Sequence, residues 1–373
     1  MKKKRIVYIT VFVLVIVGVI ALYKYNSYVE NKIYSDYSVE YTMETDRDIK
    51  SRYYDYADGA LCFTDDGMSY IKNGREVWNQ GFEIKNPVMD ICGGYVAIGE
   101  LKSNKVHLYD INGEASEIKL KYPLINVEVS EQGVVAAVLE DSKANYFQIT
   151  DKSGKELVTG RTVLKGNGYP VDFSLSQDGQ KMIVSYIYVS GGISQSKVLF
   201  YNFSEIGQNS TDRMVGGFNQ YTSTIVPDVE FINNNTAVAF GDDKLTVYKM
   251  KEKPSIKEEI ELDEKIQSIF YSEKYIGIVF RNDDKEKACV LKVYNTSGKQ
   301  IFSKDIDSEY SEIVFAGNHV LKYNDKKCEL ISLKDVVKYE KTFDVAVEKM
   351  IPVEGHMRYM MILPGKVEGI ELK

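Results

Sequence analysis

From residue 51 onward apolar and polar positions alternate, and no helical stripe of any length interrupts them. The alternation is organised as a recurring pair: a first strand that runs into a tight turn, then a short and almost wholly apolar second strand. The pair is clearest at 125–133 with 134–139 and at 171–179 with 181–186. It returns at 88–94 with 95–98, 229–235 with 236–240, 266–271 with 275–280, 312–317 with 319–323 and 350–355 with 359–363, and in weaker form at 53–59 with 60–63. Turns recur about every 40 residues, the period of a four-stranded propeller blade.

Third strands at 106–113, 146–154 and 291–298 end in Asp or Asn followed shortly by Gly, where the side chain bonds local backbone and Gly takes a positive φ. Fourth strands follow at 154–158 and 298–302. The fold class expected is therefore all-β: a propeller of eight four-stranded blades, with seven as the alternative. The eighth unit stops one strand short, and the alternating stretch from Tyr34 to Met43 is the natural donor of the strand that closes the ring.

The N-terminus follows a different pattern. Lys2, Lys3, Lys4 and Arg5 precede an uncharged run from Ile6 to Tyr23. Eighteen residues at about 1.5 Å each reach roughly 27 Å, close to the thickness of a bilayer's hydrocarbon core once Tyr23 and Lys24 anchor its end. Large residues stand where a signal peptidase needs small ones, so an uncleaved transmembrane helix is expected rather than a signal peptide. The positive-inside rule then leaves 1–5 as a cytoplasmic tail and puts the rest outside. The division is 6–23 transmembrane helix, 24–50 juxtamembrane linker with the ring-closing strand, and 51–373 extracytoplasmic propeller.

Charge and composition narrow the function. The chain has 47 basic and 54 acidic residues, and without the four N-terminal cations 43 basic groups face 54 acidic ones. Such a surface repels nucleic acid, which is excluded as a partner class. Cys62, Cys92, Cys289 and Cys328 form no C-x-x-C pair, and their strand settings suit free thiols. His107, His319 and His356 stand apart with no metal-ligand spacing, and the acidic turns Asp65-Asp66, Asp242-Asp243 and Asp283-Asp284 lack calcium-loop spacing. No nucleophile elbow or phosphate cradle occurs. No metal, cofactor or catalytic residue is therefore assigned.

The fourth unit departs from its neighbours, with a long hairpin through 190–195 and a long connection from 204 to 223. Connections of that length tend to be functional. This one carries Asp212, Arg213, Phe218 and Tyr221 among glycines, and Tyr169 sits in a Gly- and Pro-bounded turn just before the unit. These five residues are the candidate partner-binding set, against the alternative that they are ordinary strand connections.

The strings at 168–179, 198–209 and 226–231 resemble an uncharacterised family of membrane-anchored bacterial propeller proteins, a domain of unknown function from Gram-positive anaerobes. The likeness extends over nearly the whole chain. It implies a Gram-positive envelope setting and a WD40-like or quinoprotein-like propeller, and it brings no known activity. A second similarity, through Asn73-Gly-Arg-Glu-Val-Trp78, is to quinoprotein-like propellers. Those proteins repeat the Trp around the ring and this chain has one, so the similarity extends to architecture alone.

The function expected is a non-enzymatic scaffold, held at the cell membrane by one span, whose loops bind an envelope protein or peptide. The alternative is an extracytoplasmic enzyme acting on a glycan or peptide, or a small-ligand propeller. That reading requires two carboxylates about 5 to 10 Å apart, converging with aromatic groups in one pocket.

Overall fold

The computed structural model describes residues 12, 14–18, 24, 31–45, 51–142, 144–162, 168–282 and 288–373. Most of the expected membrane span at 6–23 lies outside these residues, as do the linker stretch 46–50, residues 163–167 and the acidic pair at 283 and 284. Among the described residues no helix is long and apolar enough to cross a membrane.

The described strands form eight antiparallel four-stranded sheets, each built in sequence order from an inner to an outer strand, with one exception. Blade 1 opens with the inner strand Arg52–Tyr56, blade 2 with Pro87–Cys92, blade 3 with Leu124–Val129 and blade 4 with Tyr169–Leu175. Blades 5 to 8 open with Asp228–Asn233, Ile266–Ser272, Glu312–Ala316 and Lys349–Pro352. Eight blades, not seven, make the ring.

The exception is blade 8, whose outer strand is Tyr37–Glu44 from the start of the chain, paired with the C-terminal strand Lys366–Leu372 from Tyr37 opposite Leu372 to Glu44 opposite Lys366. The two ends of the propeller are thereby joined by backbone hydrogen bonds. A bulge between Val39 and Tyr41 breaks the alternation expected along this strand, and it leaves Val39 exposed.

The second strands are largely apolar because both of their faces are covered by neighbouring blades. Val96, Ala97 and Ile98 of Tyr95–Glu100 are fully buried, as are Ile276 and Ile278 of Tyr275–Arg281. Between blades 3 and 4, Phe147, Phe173, Met182, Tyr186 and Tyr201 form one such interleaf. Truncating a large side chain there to Ala would cost about 2–5 kcal/mol, since the cavity adds to the lost burial.

The repeated turns behave as their residues require. Asp110 Oδ1 accepts from the backbone N–H groups of Asn112 and Glu114, at 2.8 and 3.0 Å. Asp151 and Asn295 do the same for 153 and 155, and for 297 and 299. Gly113 supplies the left-handed residue at φ 78°, and a Cβ there would lie 2.7 Å from Cγ of Trp78 in blade 1.

Blade 4 corrects one expectation. The long connection is not structureless: it holds short 3-10 turns at Glu205–Asn209 and Thr211–Arg213 and then the blade's own outer strand, Met214–Phe218. The glycines read as loop are Gly216 and Gly217 within that strand, where a Cβ on Gly216 would meet Pro254 at 2.4 Å. Close approach of blade 5 requires the missing side chain.

Candidate functional site: the channel mouth

Inner strands run toward the turn that leads into each second strand, and these turns surround one end of the central channel. They line an opening of about 610 Å³. Its wall comes from five inner strands beyond blade 1: Asp90, Glu128, Leu175, Glu230 and Tyr271 represent blades 2 to 6, and Asp55 and Asp58 represent blade 1. No Lys or Arg is among the lining residues.

The acidic groups are placed by a repeated contact. An inner strand has a free edge facing the channel, and its N–H groups need acceptors. Each blade satisfies the next: Asp90 Oδ2 accepts from Val129 N at 2.7 Å, Glu128 Oε2 from Leu175 N at 3.1 Å, and Asp172 Oδ2 from Val229 N at 2.8 Å. Ser174 Oγ likewise accepts from Phe231 N at 3.0 Å, and Glu230 Oε2 from the Tyr271 hydroxyl at 2.9 Å. The direction of donation is the same from blade 2 to blade 6. Further round, Lys349 of blade 8 reaches Glu312 of blade 7 at 2.8 Å, so the inner-strand cation of that sector is already engaged. Across the rim Gln177 donates to Glu273 Oε1 at 3.1 Å.

Gathering carboxylates in a confined channel raises their proton affinity. Burial pushes Asp172 up to about 7 and Glu230 up to about 8, against the pull of the hydrogen bonds they accept. Asp90 and Glu128 are raised for the same reason, with Asp90 and Glu230 adding charge repulsion at Glu128. Asp55 rises too, chiefly by burial, and its exposed side chain lets solvent screen part of the effect. Cys92, half-buried at the same mouth, is pushed up to about 12 by burial and by its acidic neighbours, so its thiol is protonated and inert at neutral pH. The other three cysteines are buried and form no disulfide.

The five residues selected from sequence do not form one surface. Tyr169 is 41% exposed and begins an inner strand, at the end of the channel opposite the mouth. Asp212 and Arg213 lie where the third strand of blade 4 passes to its outer strand, which is the mouth side, and both have positive φ. Arg213 Nη1 is buried and has no hydrogen-bond partner. Phe218 is half-buried against Phe200 and Tyr248. Tyr221 is fully buried with its hydroxyl on that of Tyr248, and it therefore offers nothing to a partner. Its aromatic character reports core packing between blades 4 and 5.

The sequence pattern does not set the channel carboxylates apart, because each lies inside an ordinary strand. Their signal is an acid between two large apolar residues in the first strand of consecutive units: Met89-Asp90-Ile91, Val127-Glu128-Val129, Val171-Asp172-Phe173 and Val229-Glu230-Phe231. Among the described residues no cluster of His, Cys, Asp or Glu is arranged to hold a metal ion.

Residues 30–372 match the model of a family of unknown function, DUF5711, and the chain belongs to that family. No curated protein matches the sequence. Among solved structures the chain is similar to BamB from Moraxella catarrhalis, at 12% identity and a TM-score of 0.56 over 90% of this chain and 100% of that one. It is similar to Sqt1 from Saccharomyces cerevisiae at 9% identity and a TM-score of 0.57, covering 92% and 99% of the two chains. AztD from Citrobacter koseri gives 8% and 0.53, over 79% and 86%. At these identities the likeness is one of fold.

Proposed function

We propose that this DUF5711 propeller is a non-enzymatic binding scaffold, anchored at a cell membrane through residues 6–23, and that its partner is a protein or peptide presenting basic side chains to the channel mouth. The observation that carries this is the 610 Å³ opening whose wall brings carboxylates from separate blades together with no Lys or Arg. A cation entering it would lower the proton affinity of those groups and offset the desolvation cost of their charged forms. The basic residues 2–5 ahead of an uncharged run support the anchored, extracytoplasmic setting.

The test is titration of the protein with Lys-rich and Glu-rich peptides of equal length. Saturable binding of the Lys-rich peptide that weakens with salt and is lost in the Glu128→Gln, Glu230→Gln double variant supports the reading. Equal binding of both peptides, or no binding of either, overturns it.

One observation favours a second reading. Glu230, held up to about 8 beside Asp90 and with Tyr271 in contact, has the proton affinity of a general acid. Against it, Asp90, Glu128 and Asp172 each commit an oxygen to a neighbouring backbone, which is a structural use. Hydrolysis of a glycan or peptide by the wild-type chain, abolished by Glu230→Gln, would establish that reading and displace the scaffold.

A further inference from the structure

The chain's path around blade 8 determines which face the N-terminus occupies. A third strand ends on the same side as the mouth turns, because inner and third strands run parallel to each other in an up-and-down blade. Lys366–Leu372 is such a third strand, and Tyr37 lies opposite Leu372. The N-terminal lead therefore arrives on the mouth side. Its attachment is specific: Tyr34 N donates to Lys338 O at 2.7 Å, Ser35 N to Lys373 O at 3.0 Å, and Lys373 N returns to Asp36 O at 2.8 Å. Lys341 pairs with Asp36 at 3.0 Å, and the Tyr34 hydroxyl lies 2.8 Å from His356 Nε2, in the mouth-side turn of blade 8.

The opposite face carries a different feature. The second and third strands of blade 4, Lys181–Ser190 and Ile193–Asn202, are ten residues each, against six in Val135–Glu140 and five in Thr236–Phe240. About four extra residues per strand carry the tip roughly 13 Å beyond its neighbours. Val189 at the tip is 72% exposed and Ile193 58%.

We propose that the propeller is carried mouth-first: the acidic opening looks toward the support to which residues 6–23 attach, and the blade 4 hairpin looks away from it. This rests on the anchoring stated under the proposed function. Ten residues, 24–33, separate the end of that run from the pinned Tyr34. Fully extended they reach about 35 Å, and less in any other conformation. A folded domain of 100 residues has a radius of gyration of about 13 Å, so its full width would fill the widest gap available. The partner that reaches the mouth is accordingly a basic segment lying beside the membrane, such as the juxtamembrane stretch of another membrane protein, and not a freely diffusing globular domain.

The experiment uses the full chain in vesicles of phosphatidylcholine and phosphatidylglycerol that contain a headgroup-labelled acceptor lipid. In a Cys92→Ser background, whose remaining thiols are buried, a donor dye is attached at Lys274→Cys on the mouth side or at Val189→Cys on the hairpin. Lys152→Cys and Ser194→Cys form a second pair, one on each face. Severalfold stronger energy transfer to the lipid from positions 274 and 152 than from 189 and 194 is expected. Equal transfer, or stronger transfer from the hairpin, overturns the orientation while leaving peptide binding at the mouth untouched. Failure of the full chain to sediment with the vesicles overturns the anchoring itself, and the orientation with it.

Discussion

The hydroxyl of Tyr34 lies 2.8 Å from Nε2 of His356, a contact between groups 322 residues apart in the chain. It is the side-chain part of the joint that closes the ring, and Tyr34 itself is buried in the blade 7 and 8 core beside Tyr339, Tyr359 and Met361. Pairing of a strand from one end of the propeller with a strand from the other ties the first and last segments of the run of blades into one sheet and so closes the ring.

Two variants separate the hydrogen bond from the packing. Tyr34→Phe keeps the ring in place and removes the bond, which should cost about 1 kcal/mol. Tyr34→Ala also empties a buried site and should cost about 3–5 kcal/mol. Because the loss falls on the seam, amide exchange should accelerate first in Tyr37–Glu44 and Lys366–Leu372, before the middle blades respond. Urea unfolding with exchange mass spectrometry checks both. Uniform exchange acceleration around the ring would show that the seam is no weaker than any other blade interface.

The channel acids predict a pH dependence of stability with a definite sign. Asp172 and Glu230 have folded-state values of about 7 and about 8, above the ordinary 3.8 and 4.5. A carboxyl whose affinity for protons is higher when folded stabilises the fold fully below its unfolded value and loses that contribution as pH rises through the folded one. Melting temperature should therefore fall between about pH 5 and pH 9, as these buried groups ionise. Glu128→Gln with Glu230→Gln should flatten the curve and raise the melting temperature at the alkaline end, since Gln retains an acceptor oxygen for Leu175 N and the Tyr271 hydroxyl. A double variant with unchanged pH slope would mean that these groups ionise normally.

Trp78, the single tryptophan, reports on the joint between blades 1 and 2. Its ring is 8% exposed among Tyr56, Tyr70 and Tyr109, and its Nε1 donates to Ile111 O at 3.1 Å in the blade 2 turn. Gly113→Ala would place a methyl group against that ring from a residue at φ 78°. We expect a loss of about 1–3 kcal/mol, combining backbone strain with overpacking. The emission of Trp78 should move to the red and its quenching by acrylamide should rise, while a distant Gly191→Ala in the open hairpin turn should leave the emission unchanged. Unaltered fluorescence in Gly113→Ala would show that the turn yields without disturbing the ring.

Blade number and strand order were legible because the blades repeat a largely apolar second strand covered on both faces, and blades 2, 3 and 6 add an Asp or Asn turn with Gly three positions on. Asp110-Ile-Asn-Gly113 and Asn295-Thr-Ser-Gly298 carry that turn as plainly in sequence as in space. The ring-closing strand was legible for the same reason, since blade 8 lacked a fourth strand. The site was not. The length of the connection at 204–223 points to function in sequence, where in space Gly216 and Gly217 mark a strand packed closely on blade 5 and Tyr221 marks its core. Asp90, Glu128, Asp172 and Glu230 are far apart in the chain, and only closure of the ring makes them neighbours. Their flanking apolar residues resemble any half-buried strand, so nothing local separates a channel-facing acid from a solvent-facing one.

Blade 4 allows the surface and core parts of the sequence-selected set to be separated by experiment. Tyr221→Ala removes a fully buried ring and exposes the Tyr248 hydroxyl to a cavity, so it should cost about 3–5 kcal/mol and reduce binding of any partner only through unfolding. Shortening the hairpin by the two outermost pairs, Val189 with Ser194 and Ser190 with Ile193, while keeping the Gly191-Gly192 turn should change stability little, because Val189 and Ile193 are exposed and a Cβ on Gly191 or Gly192 would touch nothing within 4 Å. The shortened chain should bind the Lys-rich peptide as the wild type does, since the hairpin lies on the face away from the mouth. Denaturation curves measured beside peptide titrations decide this. Loss of peptide binding in a fully stable shortened chain would move the binding site from the channel mouth to the hairpin, and the acidic inner strands would then be left with their hydrogen bonds to the next blade as their whole role.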